Sequence, residues 1–271
     1  MQPSCLFCES NGPFTTTEHI IPESLGNDDL LLAGEVCDGC QRYFGKEVEK
    51  YVLEKTPIGA WRALLGIQSK KGKLPSVDLS VPERSRGVLP GSSVHHDNRV
   101  SLSAHEDGST SVDIDNSEII SAILDGSKTE LRFVLSPKHL VQLGRFLGKI
   151  AIELYCLSDP VRARHERYDA LRRYSRFGIT QDIWPIFHCT NGSISELRQI
   201  EQNAEGVLLH SLCYQYSLAD GPNGYELFSL RVGTDQWTLC TNDPYPTPVI
   251  RKAFVERKLD LIWYEHDEWK R

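Results

Sequence analysis

The polar and apolar positions of this chain change period several times, and each change marks an element. From Gln41 to Ala63, apolar residues recur at Tyr43, Phe44, Val48, Val52 and Leu53, mostly at helical steps, which predicts a helix. Pro57 and Gly59 should kink or break it. Short alternating runs follow at Val100–Leu102 and Val112–Ile114, on either side of Asp107-Gly108, the pattern of a hairpin. Ser136-Pro137 then opens an amphipathic helix, with Ser136 as N-cap and Pro137 in the first turn. Its stripe is Leu140, Leu143, Leu147, Ile150, Ala151 and Leu154. Asp159-Pro160 ends this helix or starts the next, Val161–Phe177, which Gly178 closes. Val207–Leu218 and Tyr225–Val232 alternate as two strands around Asp220–Gly224, and Pro248–Lys258 reads as a final helix.

The mixture predicts an α+β chain. Between its helical and stranded parts lie Lys70-Lys71-Gly72-Lys73, Pro75, Pro82 and Pro90-Gly91-Ser92-Ser93, the composition of a linker or insertion. The expected division is an N-terminal module over residues 1–60, a basic linker or insertion over 61–99, and an α+β C-terminal domain over 100–271. At 271 residues, with 40% hydrophobic and 25% charged positions, the chain can bury substantial cores. No run approaches the roughly 20 apolar residues that cross a bilayer, and the first residues lack the basic and apolar regions of a signal peptide. A cytoplasmic protein with no membrane partner is the expectation.

Charge changes that picture locally. The net charge is −7, and the first 50 residues hold 3 Lys/Arg against 9 Asp/Glu. Residues 62–99 carry 7 basic and 3 acidic residues, and residues 161–177 carry 6 arginines against 2 acids. A polyanion would have to be held by those stretches. Lys46, Lys70, Lys71, Lys73, Arg173 and Arg176 are the candidate nucleic-acid contacts. On one continuous helix Arg162, Arg173 and Arg176 share a face, although a salt-bridged, solvated helix is the plainer reading.

The eight cysteines divide into two kinds. Cys156, Cys189, Cys213 and Cys240 are scattered as small core residues usually are. Cys5/Cys8 and Cys37/Cys40 form two Cys-x-x-Cys pairs, whose gap lets both thiolates of a pair reach one ion. Four sulfur ligands close the coordination of zinc, so the expected Zn²⁺ is structural. Between the pairs stands Glu18-His19-Ile20-Ile21-Pro22, followed by Leu25-Gly26. Alone, such a Glu-His pair is more often a surface ion pair or a satisfied histidine than a catalytic one. A zinc frame that holds it rigidly gives it the setting a catalytic constellation needs. His95-His96-Asp97 lies in a Gly/Ser-rich stretch and reads as a solvated loop.

Taken together, Cys-x-x-Cys, Glu-His-Ile-Ile-Pro-x-x-Leu-Gly, Cys-x-x-Cys and Phe-Gly-Lys-x-x-Glu resemble an HNH endonuclease of the zinc-containing type, over about residues 5–50. The resemblance implies a zinc-bound ββα-metal module ahead of the α+β domain, and hydrolysis of phosphodiester bonds in DNA. It implies His19 as general base, a task suited to an imidazole. It implies Glu18 as a ligand of one catalytic Mg²⁺ or Mn²⁺, with the position after Cys40 as a second ligand. That position is usually asparagine in the family; here it is Gln41, whose extra methylene displaces the amide oxygen by about 1.5 Å. The middle asparagine of the family triplet has no counterpart in place, Asn27 falling early and Leu32 to Glu35 offering no amide. Glu47 and Glu49 either extend the acidic shell or face water.

Three functions follow. One is a metal-dependent endonuclease on DNA; another is a catalytically inactive zinc module that binds nucleic acid or a protein. The third is an effector whose C-terminal domain answers a regulatory protein or signal and restrains the nuclease. Cutting both strands with one site per chain would favour a homodimer.

Overall fold

A computed structural model describes residues 4–69, 72–81, 98–127, 135–178, 184–190, 214–221, 224–244 and 262–264. In chain order its elements begin with strands β1 (Thr17–His19) and β2 (Leu31–Ala33) and helix α1 (Asp38–Tyr43). A π-helical turn (Phe44–Glu49) leads to α2 (Lys50–Lys55), and α3 spans Pro57–Leu64. Strands β3 (Ser76–Val81), β4 (Asn98–Ala104) and β5 (Thr110–Ile114) precede α4 (Ser117–Leu124). Helices α5 (Pro137–Ser158), α6 (Pro160–Ala163) and α7 (Asp169–Phe177) come next. The chain then forms β6 (Ile186–Thr190), β7 (Tyr214–Asp220), β8 (Glu226–Val232), β9 (Asp235–Cys240) and β10 (Ile262–Tyr264). This is an α+β architecture, and every strand pairing among the described residues is antiparallel.

Packing divides the chain differently from boundaries at 60 and 99. One compact unit joins Met1–Val52 to Pro137–Arg271, and the other is Leu53–Ser136. The expected linker is therefore partly structured. Its helix α3 and strands β3 and β4 share a core of Ala60, Ala63, Val77, Leu79 and Leu102. Thr56 and Pro57 restart the helix there, with Thr56 in extended backbone and Pro57 at the first helical position. Gly59 is required: a Cβ would stand 2.4 Å from the Leu53 carbonyl oxygen. In the same unit Asp78 pairs with Lys55 at 2.8 Å and Arg99 at 2.7 Å, which holds its carboxyl well below the usual carboxylate range.

The first unit is organised around α5, whose run from Leu143 to Cys156 is buried on every face. One side meets the five-stranded sheet, ordered β10-β6-β9-β8-β7, where the Tyr155 hydroxyl pairs with Thr241. Another meets α7 so closely that a Cβ on Gly148 would lie 2.4 Å from Ser175 Oγ and 2.7 Å from Leu171 Cδ1. On a third, Arg145 donates to the Tyr43 hydroxyl at 2.6 Å and to the Ser175 and Arg176 carbonyls, tying α1 to α7.

The arginine segment is not one helix. Asp159 caps α6, with Pro160 at its first position, but the chain turns extended at His165. The His165 ring accepts from Arg167 N–H, and Arg172 reaches back to the Ala163 and His165 carbonyls. With the helix broken, the arginines part: Arg162 and Arg167 pair with Glu226, and Arg164 with Glu35. Cys156, Cys189 and Cys240 are buried, as core thiols. Lys70, Lys71, His95-His96-Asp97, Cys213 and the expected helix Pro248–Lys258 lie outside the described residues.

Candidate functional site

Two polar constellations meet in the N-terminal part of the first unit. The Sγ atoms of Cys5, Cys8, Cys37 and Cys40 lie within 4.8 Å of one another. A tetrahedral zinc, with Zn–S near 2.3 Å, sets sulfurs about 3.8 Å apart, and Cys8 and Cys37 stand 3.6 Å apart. Backbone N–H groups of Cys37 and Cys40 donate to Cys5 and Cys37 sulfur, each at 3.4 Å. The Cys40 thiol first, and then the backbone N–H groups of Cys37, Cys8 and Phe7, favour the Cys5 thiolate against the effect of burial, and its pKa falls to about 4. Four thiols, with their partners on rigid backbone, fit a structural Zn²⁺, which would draw off the remaining protons.

The cluster anchors both ends of the ββα segment. Asp38, the residue after Cys37, accepts from the backbone and hydroxyls of Thr15 and Thr16, first through Thr15, and these bonds lower its pKa to about 2. Those bonds fix the chain just before β1, where Glu18 pairs with Leu32 and His19 with Leu31. The loop between the strands is held by Asn27, which is fully buried. Its amide donates to the Ile21 and Leu30 carbonyls, and its oxygen accepts from Asp29 and Leu30 N–H and the Tyr214 hydroxyl. Asn27 is early in sequence for the middle member of the triplet. In space its amide ties Ile21 to Leu30 across the loop between β1 and β2.

Strand alternation sends Glu18 and His19 to opposite sides. His19 is partly exposed, and its Nε2 lies 3.9 Å from Glu23 Oε2. Its Nδ1 is buried and has no hydrogen-bond partner among the described residues. Glu18 turns inward and meets Lys149 of α5 at 2.6 Å. The Lys149 ammonium is completely buried, with Glu49 at 2.9 Å, Glu153 at 3.1 Å, the His19 carbonyl at 2.9 Å and the Ile20 carbonyl at 3.2 Å. Burial works against its charge, but Glu153, Glu18 and Glu49 outweigh it and hold the pKa well above that of an ordinary lysine. Three carboxylates cannot all ionise cheaply beside one ammonium in a buried place. Burial raises the pKa of Glu153 well above its usual value, and that of Glu18 as well.

Glu49 therefore does not face water. It flanks the buried face of Phe44, Val48 and Val52, and the π-helical turn carries it toward α5. Glu47 does stay at the surface, beside Lys46. Gln41 is also committed: its amide nitrogen donates to the Thr16 and Val36 carbonyls, and its oxygen accepts from the Thr16 hydroxyl. Glu18 and Gln41, the pair the resemblance assigns to a catalytic Mg²⁺ or Mn²⁺, are thus turned to separate partners. As arranged, they do not fit one divalent cation.

The candidate DNA contacts are scattered. Lys46 and Arg173 are exposed, whereas Arg176 donates to Cys40 Sγ at 3.1 Å and lies over the Tyr43 ring. Lys73 is exposed in the other unit. Lys149 and Glu153 escaped the reading of the sequence. Their signal is a Lys and a Glu four residues apart, the only charged residues from Leu147 to Cys156.

Among the described residues no helix is long and apolar enough to cross a membrane. No curated protein and no solved structure matches the chain. Residues 5–56, which hold both cysteine pairs, Glu18-His19 and Asn27, match the family model described as HNH endonuclease.

Proposed function

We propose that the 5–56 segment hydrolyses phosphodiester bonds in DNA, with His19 as the general base. The family match carries this reading, since it covers the segment that presents His19. The local architecture supports it. The thiol cluster, Asp38 and Asn27 fix the hairpin on both sides of His19, so its ring is presented by rigid backbone. The ring is partly open to solvent, where it can take a proton from water attacking a phosphate. Glu23, near Nε2, is placed to stabilise the imidazolium that results. HNH nucleases work with a divalent cation, which supplies charge at the scissile phosphate.

One observation favours a second reading, an HNH-type module that binds nucleic acid without cutting it. Glu18 and Gln41 are both engaged within the protein, so the expected cation ligands are not free. Purified protein and His19→Ala, each incubated with supercoiled plasmid and Mg²⁺ or Mn²⁺, separate the two. Hydrolysis predicts nicking by the parent protein and a loss of at least about a hundredfold in the variant. Equal cutting by both proteins, or none by either with any metal, removes His19 from catalysis. Retained DNA binding without cutting establishes the second reading.

A further inference from the structure

We propose that Lys149 is the resident cation of the HNH-type segment: its ammonium fills the place between Glu18 and Glu49, so that Glu18 serves α5 and does not ligate a divalent metal. The inference concerns who holds Glu18, and it stands or falls independently of whether the segment cleaves DNA.

The geometry is that of a cation cage. Five oxygens surround one nitrogen: Glu18, Glu49 and Glu153 carboxylates and the His19 and Ile20 carbonyls, at 2.6 to 3.2 Å. An all-oxygen shell of carboxylates and carbonyls is what a hard divalent cation selects. These spacings suit an ammonium, whereas oxygens sit at about 2.0–2.1 Å around Mg²⁺ and about 2.3–2.6 Å around Ca²⁺. A metal in the same cage would need the ammonium gone, because two cations cannot share it. The ammonium cannot readily leave. Lys149 is completely buried and sits mid-way along the central helix, and Gly148 beside it locks that helix against α7. The cage also contacts the segment where it matters: two of its oxygens are the carbonyls of His19 and its neighbour. Lys149 is thus a positioning residue for β1, supplied from outside the family-matching segment by 93 positions beyond residue 56.

The cage makes a specific expectation about its own emptying. Removing the lysine head leaves three carboxyl groups and two carbonyls around a hole, a site for Mn²⁺ or Ca²⁺ that the parent protein does not offer. Zinc-loaded full-length protein is titrated with Mn²⁺ and the free ion is followed by electron paramagnetic resonance. Parent and Glu18→Gln proteins should bind Mn²⁺ alike, or not at all. Lys149→Ala should gain one Mn²⁺ per chain, and adding Glu18→Gln to it should weaken that site by about tenfold or more. Melting in the same buffers gives a second readout, in which Mn²⁺ raises the Tm of Lys149→Ala and leaves the parent unmoved. A parent protein whose Mn²⁺ affinity falls tenfold or more in Glu18→Gln overturns the proposal. If Glu18→Gln does not fold, the Lys149→Ala arm decides: a gained ion supports the cage, and no gain overturns it. If Lys149→Ala folds only when Mn²⁺ or Ca²⁺ is present, that dependence is the gained site.

Discussion

The thiol cluster and the lysine cage both draw on the 5–56 segment and solve opposite problems. At Cys5, Cys8, Cys37 and Cys40, four sulfur ligands converge in an arrangement that fits a zinc ion taken from solution. At Glu18, Glu49 and Glu153, carboxyl groups converge on a cation that the chain itself provides. The first offers ligands for an ion from outside; the second takes its cation from α5. The contrast teaches that acidic residues at the expected positions do not make a metal site until their existing partners are counted.

The largest effect should come from the thiol corner. Structural zinc contributes on the order of 10 kcal/mol in small modules at neutral pH, so Cys5→Ser or a strong chelator should unfold the hairpin. Zinc content falling from one ion per chain toward none, together with proteolysis inside residues 5–50, checks this. Retention of zinc by Cys5→Ser would break the comparison at its firmer side.

The cage should come second. Lys149→Met leaves buried carboxyl groups without their cation, and loss of one partner of a buried ion pair costs about 3–5 kcal/mol. Denaturant unfolding at neutral pH measures it. Glu153→Gln should cost less, since burial raises the Glu153 pKa and so weakens its negative charge beside Lys149. Equal losses for the two variants would mean that Glu153 is ionised in the cage and that its charge balance is different.

A smaller effect sets the exposed ion pairs of the second unit against the buried cage. Asp78 has a depressed pKa, first through the Lys55 hydrogen bond and then through Arg99. A carboxylate with a lowered folded pKa contributes stability above its unfolded pKa, about 3.9, and loses it as pH falls further. Asp78→Asn should therefore destabilise at neutral pH and flatten the loss of stability below pH about 4. Acid unfolding curves of parent and variant test this, and parallel curves would contradict the pairing.

What could be read from the sequence was local. Cys-x-x-Cys pairs, Glu18-His19 and the helix stops at Pro57 and Gly178 declare themselves through spacing and through backbone requirements of neighbouring residues. The departure from asparagine at Gln41 was legible as well, but not that its amide clamps Thr16 and Val36. The part Asn27 plays in tying Ile21 to Leu30 could not be read from its place along the chain, because those bonds form only once the loop closes back on itself. Lys149 was out of reach for a deeper reason. Its partners Glu18 and Glu49 lie 131 and 100 positions away, and only the packing of α5 against the hairpin brings them together. The breaking of the arginine helix at His165 likewise depends on Arg172 reaching back to the freed carbonyls.

An ammonium, and not a divalent metal, neutralises Glu18 in the cage. Crystals of the zinc-loaded protein soaked in Mn²⁺ and measured above the manganese absorption edge, with zinc located at its own edge, test it most directly. The expected maps show a zinc peak among the four cysteine sulfurs and no manganese peak within bonding distance of the Glu18 carboxylate, where Lys149 Nζ stands. A manganese peak on Glu18, with Lys149 displaced from the cage, would contradict it.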